Sequence, residues 1–269
     1  MDGEPSSKTL LGNDETGGLG EIRILHPAGT FALTPASLIS IRAIGKNQML
    51  LAGNGIDWGS GTGCLAIAAA KAANVDRVVG LEIETANVRI AQENAALNGV
   101  AAKTEFLLSD SYDPFARDDR TKLDALKGKI DFVLANPPAS DDADGFQFRR
   151  LVLRGAKDYL RPGGRVFLSI SYQYGIRRIM QLVDDVPSYT YGGTLATTDW
   201  VPFDLRRPDL LDCLKLYAES ERAGGLEYTF QAPGASHEKI INATAALAHF
   251  HATGESPLSR WQTHLFERD

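Results

Sequence analysis

The sequence predicts an α/β fold, in which a doubly wound, mostly parallel sheet carries helices on both faces. Three observations predict it. Short β-branched runs alternate with helix-length segments. The runs are apolar at nearly every position, as strands covered on both faces are. A glycine-rich turn joins the first run to the first helical segment, and open α/β sheets bind ligands at such carboxyl edges.

Taken in order, GIDW, RVVGLE, TEFLL, IDFVLA and RVFLSI read as strands bounded by turn residues. Helical segments lie between the first three runs and between the last two, as crossover connections require. Around ETANVRIAQENAALNGV, the residues Ile83, Ala86, Ile90 and Leu97 recur at helical spacing, and Asn98-Gly99 supplies a stop. In FQFRRLVLRGAKDYLRPGG the stripe is Phe148, Leu151, Val152, Ala156 and Tyr159, and Pro162-Gly163-Gly164 ends the helix. Upstream, Thr34-Pro35-Ala36-Ser37 is a helix start, with Thr34 as N-cap and Pro35 at the first position.

Beyond residue 170 the pattern predicts a helix over 174–186, a strand or hairpin over 189–203, helices within 206–225 and 236–254, and a closing strand over 261–269. The last two helices form an insertion near the sheet edge. Such an insertion either shapes a substrate pocket or elaborates the surface. Residues 1–20 are polar and glycine-rich and read as a flexible N-terminal arm. Residues 21–269 then form a single domain, with its core at 55–170 and a variable substrate-side region at 171–269.

Composition bounds the function. Apolar residues make up 43% and charged residues 23% of the 269, which excludes a disordered or fibrous chain. The 28 Lys and Arg against 34 Asp and Glu leave a net charge of −6, so no basic excess marks a nucleic-acid binder. The longest apolar run, CLAIAAA, falls far short of the roughly 18 residues of a membrane span. No secretory leader is visible, and Cys64 and Cys213 read as reduced thiols, so a cytoplasmic protein with no membrane partner is expected. The five histidines lack metal-ligand spacing, and no metal is expected. Asp141, Asp142 and Asp144 read as a solvated acidic loop.

The segment Asp57-Trp58-Gly59-Ser60-Gly61-Thr62-Gly63-Cys64 follows a strand and opens a helix. Alternating glycines let the chain turn sharply while its backbone lies close to a ligand. A dinucleotide fingerprint wants a third small residue where Cys64 stands. Glu82 ends the second strand 25 residues after Asp57, where an acid can accept hydrogen bonds from ribose hydroxyls. Asp110 follows the third strand and is placed to accept from an adenine amino group. The fourth strand ends in Asn136-Pro137-Pro138. Trp58 is expected to pack under the sheet end.

With these residues in register, the chain resembles the class I S-adenosylmethionine-dependent methyltransferases. DWGSGTGCLAIAAA, VVGLEIETANVRIAQENAALNG, FVLANPP and LRPGGRVFLSI carry the resemblance, over residues 55–170. It implies a Rossmann-like seven-stranded sheet with a helical insertion near the C-terminal end, and S-adenosyl-L-methionine as cofactor. Asp57, Gly59, Gly61 and Gly63 would lie along its methionine part, Glu82 on its ribose and Asp110 beside its adenine. Thr34, in the segment that closes over the site, would join them, with Phe31 and Pro35 as pocket residues.

The Asn-Pro-Pro segment is similar to that of enzymes methylating planar nitrogens, such as glutamine amides and exocyclic base amines. The resemblance implies catalytic roles for Asn136, Pro137 and Pro138. The amide lone pair is delocalised and a poor nucleophile. The Asn136 oxygen and the Pro137 carbonyl would accept the two N–H hydrogens and aim that lone pair at the methyl group. The family pattern continues with an aromatic residue, and here Ala139 stands instead. Phe146, Phe148 or Trp200 could take its place over the substrate. Glutamine-modifying relatives acting on release factors carry a helical N-terminal domain, and here a short arm precedes the core. Protein, nucleic acid and small-molecule acceptors all stay open. So do two other readings: an NAD(P)-dependent oxidoreductase and a non-catalytic methyltransferase-like scaffold.

Overall fold

The computed structural model describes residues 7–138, 144–234 and 239–269. Its centre is a sheet of seven long strands: β1 (Gly53–Trp58), β2 (Val75–Glu82), β3 (Thr104–Asp110), β4 (Ile130–Ala135), β5 (Leu160–Ser169), β6 (Tyr189–Thr197) and β7 (Gln262–Arg268). A two-residue strand, Asp113–Pro114, adds an eighth outside β3. From that edge the order is β3-β2-β1-β4-β5-β7-β6. Strands β1 to β5 are mutually parallel, and β7 runs antiparallel to both β5 and β6. The sheet is therefore mostly parallel. Its order reverses between β1 and β4, the kind of switch point at which a crevice opens above the carboxyl ends.

Among the described residues there are eight α-helices: α1 (Pro35–Lys46), α2 (Cys64–Ala70), α3 (Thr85–Leu97), α4 (Arg117–Asp124), α5 (Gln147–Tyr159), α6 (Gly175–Asp185), α7 (Pro208–Arg222) and α8 (Ala243–Thr253). The period-2 alternation of β4 divides them into two layers. Phe132 and Leu134 join a core with Ile41 of α1, Leu65 of α2 and Ala91 of α3. Val133 and Ala135 join one with Leu123 of α4, Val152 of α5, Leu182 of α6 and Leu214 of α7. Both faces are covered, which is why the strands read as unbroken apolar runs.

Several expectations are corrected. The stretch read as a flexible arm is ordered from Lys8 onward: Lys8–Leu11 pairs antiparallel with Ile22–Leu25, and Leu11 and Thr16 are buried. Helix α4, between β3 and β4, was missed because its charged sequence hides a single buried apolar residue, Leu123. Pro162-Gly163-Gly164 lies inside β5 and does not end α5, which stops at Tyr159. In α3 the predicted stripe is wrong: Ile83 and Leu97 are exposed, while Asn87, Ile90, Ala91, Asn94 and Ala95 are buried. The two asparagines tie the N-terminal segment down. Asn94 exchanges hydrogen bonds with the Leu25 backbone, and Asn87 Oδ1 accepts from Phe31 N. Leu151 of α5 is also exposed, its place taken by Leu153 and Arg149.

The insertion holds α7 and α8, as expected, and a small sheet that the sequence reading missed. That sheet is made of the two-residue strands Val201–Pro202, Leu258–Ser259, Phe230–Gln231 and Ile240–Ile241. Glu221 near the end of α7 accepts from Ala243 N and Thr244 N, the first amides of α8. A carboxylate there satisfies orphan donors and faces the positive end of the helix dipole.

Candidate functional site

A cavity of about 640 Å³ opens above the carboxyl ends of the parallel strands, at the switch point. The turn between β1 and α2 forms part of its wall. Gly59, Gly61 and Gly63 all take left-handed φ angles, 64°, 54° and 83°, which other residues adopt only with strain. Ser60 N donates to Leu81 O of β2 and so pins the turn to the neighbouring strand. Gly59 and Gly61 face the cavity. A Cβ on Gly61 would come within 3.2 Å of the Phe31 ring, which folds over the loop.

Gly63 and Asp57 depart from expectation, for both lie behind the wall. A Cβ on Gly63 would meet Ala91 and Phe106 at 3.0 Å, so this glycine serves helix packing. Asp57 is fully buried, and its Oδ2 accepts from Ala66 N in the first turn of α2. Burial without a cation pushes its pKa up to about 8, and the nearby Glu82 adds to the rise. The residue holds the loop from behind.

Glu82 ends β2 on the cavity wall. Its Oε2 accepts from Gly61 N at 2.7 Å, and its Oε1 from Glu84 N and Asn87 Nδ2. A carboxylate offers about four acceptor positions. Three are taken by protein donors, which leaves Oε2 room for one more. Asp110 stands exposed at the rim. Beside it Ser111, at φ 55°, accepts the Trp58 indole N–H at 2.7 Å. Trp58 is packed in the core at the sheet end, as expected, and its exposed edge lines the cavity. It follows Asp57 on a strand, so the two side chains point to opposite faces.

On the other side of the switch point, Asn136, Pro137 and Pro138 line the same cavity. Asn136 Nδ2 donates to Ser37 Oγ at 3.4 Å. Thr34 and Ser37 form a reciprocal cap at the start of α1, so this helix end also orients Asn136. With its nitrogen given to Ser37, Asn136 keeps Oδ1 open among the described residues. Thr34, Phe31 and Pro35 are on the wall as well.

Of the three aromatic residues expected to cover a substrate, only Phe148 reaches the cavity. Phe146 is buried against Tyr174, and Trp200 meets Tyr172 edge to face and carries Arg260 over its ring. Ala139, Asp141 and Asp142 lie outside the described residues, and Asp144 pairs with Arg150. Sequence reasoning missed Ser37, Trp58, Arg149, Phe203, Tyr217 and Trp261. Only Ser37 carried a signal, as the fourth residue of the capping pattern. Cys64 also lines the wall, but burial and Asp57 push its thiol up to about 12, so it stays protonated. Among the described residues, no group of three or more His, Cys, Asp or Glu side chains could hold a metal ion.

The cavity suits S-adenosylmethionine on three counts: its volume, the glycine turn without side chains against it, and a buried carboxylate with one acceptor position left. The Ser60 hydroxyl, buried and without a partner on the same wall, offers a further polar contact.

Comparison with known proteins agrees with this geometry. The family model described as "Methyltransferase small domain" matches residues 21–186. A release factor glutamine methyltransferase of Cereibacter sphaeroides is 30% identical over 151 residues, 48% of this chain and 50% of that protein. A ribosomal protein L11 methyltransferase of Bradyrhizobium diazoefficiens is 39% identical over 116 residues, 43% of this chain and 34% of the other. The first of these alignments spans half of its relative's length, and the second a third. Among solved structures, the YcgJ protein of Bacillus subtilis superposes with a TM-score of 0.51 at 12% identity, covering 84% of this chain and 98% of that one, which shows the fold.

Proposed function

Because the chain belongs to the methyltransferase small domain family, whose methyl donor is S-adenosylmethionine, we propose that it methylates a planar nitrogen. One observation carries the reading. The open Oδ1 of Asn136 and the glycine turn with Glu82 share one cavity, on opposite sides of the switch point.

Gly59, Gly61 and Ser60 would hold the donor's methionine part, Glu82 Oε2 its ribose, and Asp110 its adenine. The bound donor supplies an electrophilic sulfonium methyl. The protein's part is positioning. Asn136 Oδ1 and the Pro137 carbonyl accept the N–H hydrogens of the acceptor and turn its lone pair toward the methyl carbon. On taking up the methyl group, the acceptor nitrogen would shed one proton to solvent. Ser37 fixes the rotamer of Asn136, so the acceptor need not organise it. Relatives bear the names of release factor glutamine and ribosomal protein L11 methyltransferases, and a glutamine side chain carries a planar nitrogen, which supports this reading. Neither an oxidoreductase nor a scaffold finds support in these relatives. Among the described residues, no helix is long and apolar enough to cross a membrane. A cytoplasmic site of action accompanies this reading, and the buried, reduced thiol of Cys64 suits it.

Incubation with methyl-labelled donor and fractionated cell extract tests the proposal and identifies the acceptor. Asn136→Ala is expected to bind S-adenosylhomocysteine as the parent does but to lower methyl transfer roughly a hundredfold, as for loss of one preorganised polar group. Transfer at the parent rate would overturn the role of Asn136.

A further inference from the structure

Arg149 of α5 is 4% exposed, yet it lines the cavity. Its Nη1 donates to the carbonyls of Pro138 at 3.0 Å and Gly145 at 3.2 Å. Its Nε is buried and has no partner among the described residues. No carboxylate pairs with it among the described residues. The Tyr174 ring lies 5.3 Å from its guanidinium carbon.

Its neighbours are served differently. Arg150 pairs with Asp144 and Asp185. Arg207, the other cation on the cavity wall, pairs with Asp209. Arg178 is as buried as Arg149, but it spends both terminal nitrogens on the Tyr174, Leu226 and Glu227 carbonyls and stacks on Tyr228 at 3.7 Å. Of the two cations on the cavity wall among the described residues, Arg149 is the one that is buried and has no carboxylate partner. A buried cation without a counter-charge is unfavourable, and the fork of a guanidinium matches a planar carboxylate.

Its place in the fold assigns it to the acceptor. Glu82 and Asp110 end β2 and β3, on one side of the switch point. Arg149 lies in the connection between β4 and β5 and bonds the carbonyl two residues after Asn136. Phe148 of the same helix, Tyr174, and Phe203 and Tyr217 of the insertion wall this side with aromatic rings. We propose that the acceptor is a small aromatic or planar molecule bearing a carboxylate, and that Arg149 is the residue that binds this carboxylate. The proposal rests on the methyltransferase reading and names its substrate class.

The test uses the full chain, with and without S-adenosylhomocysteine. Benzoate and phenylacetate are titrated against benzamide and phenylacetamide, with binding followed by calorimetry. The carboxylates are expected to bind at least tenfold tighter than their amides. Arg149→Met is expected to erase that preference, and Arg149→Lys, which keeps the charge but loses the fork, to retain part of it. Equal binding of acid and amide by the parent protein, or binding of neither, overturns the proposal even if the variants do not fold. So does a preference that survives in a folded Arg149→Met. Failure to bind S-adenosylhomocysteine would instead overturn the donor site, a separate outcome read in the same calorimeter.

Discussion

Asp57 has no solvent exposure, and its Oδ1 has no hydrogen-bond partner. In the folded chain it keeps its proton up to about pH 8, against 3.8 for the free side chain. Between those values the folded state binds more protons than the unfolded one, so stability falls as pH rises. His264 works in the opposite sense. Burial lowers its pKa from 6.5 to about 4, so its contribution is present above 6.5 and lost as pH falls toward 4. Between about 6.5 and 8, Asp57 is the displaced group left to act. Asp57→Asn keeps an acceptor for Ala66 N and removes the titration. The melting temperature of the parent is expected to decline across this interval and that of the variant to stay level; parallel curves would refute the burial effect. Glu82, on the cavity wall, accepts from three N–H donors. Glu82→Ala should weaken S-adenosylhomocysteine binding by about 1.5–3 kcal/mol, the range for hydrogen bonds to a charged group. An unchanged dissociation constant in a folded variant would remove Glu82 from the donor site.

At the scale of elements, the β1–α2 turn divides its glycines between two tasks. Gly61 faces the cavity under Phe31, while Gly63 caps α2 against Ala91 and Phe106. Gly61→Val should therefore abolish donor binding with little change in circular dichroism. Gly63→Ala should instead lower stability by about 2–5 kcal/mol, from the left-handed backbone and the crowded core together. Denaturant melts and donor titrations on the pair check this, and the reverse assignment of effects would refute it. The turn itself was legible, because alternating glycines between a strand and a helix are a local signal. The division of labour was not, since α3, β3 and the segment before α1 supply the neighbours that decide it.

For the whole molecule, the position of β7 matters most. The last strand of the chain enters between β5 and β6 and pairs with both. Its Leu265 and Phe266 each serve a different core. The insertion is thus bracketed by sheet strands and cannot be a free appendage. The full chain should unfold in one cooperative transition, and a chain ending at Arg260 should show none by calorimetry. A cooperative melt of the shortened chain would mean that the first six strands form an independent unit. Saturation at a hundred times the dissociation constant with S-adenosylhomocysteine should add about 2.7 kcal/mol and raise the melting temperature by about 5–10 °C.

The sequence by itself determined the parallel core, the glycine turn, Glu82 at the end of β2, the Thr34 cap and the Asn-Pro-Pro end of β4. Each of these rests on a local pattern: period-2 or helical spacing, turn chemistry, or a strand end. Only the tertiary structure decided which of these residues line the cavity. Asp57 and Trp58 are neighbours on one strand, and alternation sends one behind the wall and the other into the cavity. Nothing local says which face is open. Ser37 meets Asn136 from 99 positions away. Arg149 stands beside Arg150 in the chain, and it is buried with its guanidinium against the Pro138 carbonyl and the Tyr174 ring. A burial that depends on such distant segments leaves no period in the chain, and it emerges only when the sheet brings those segments together.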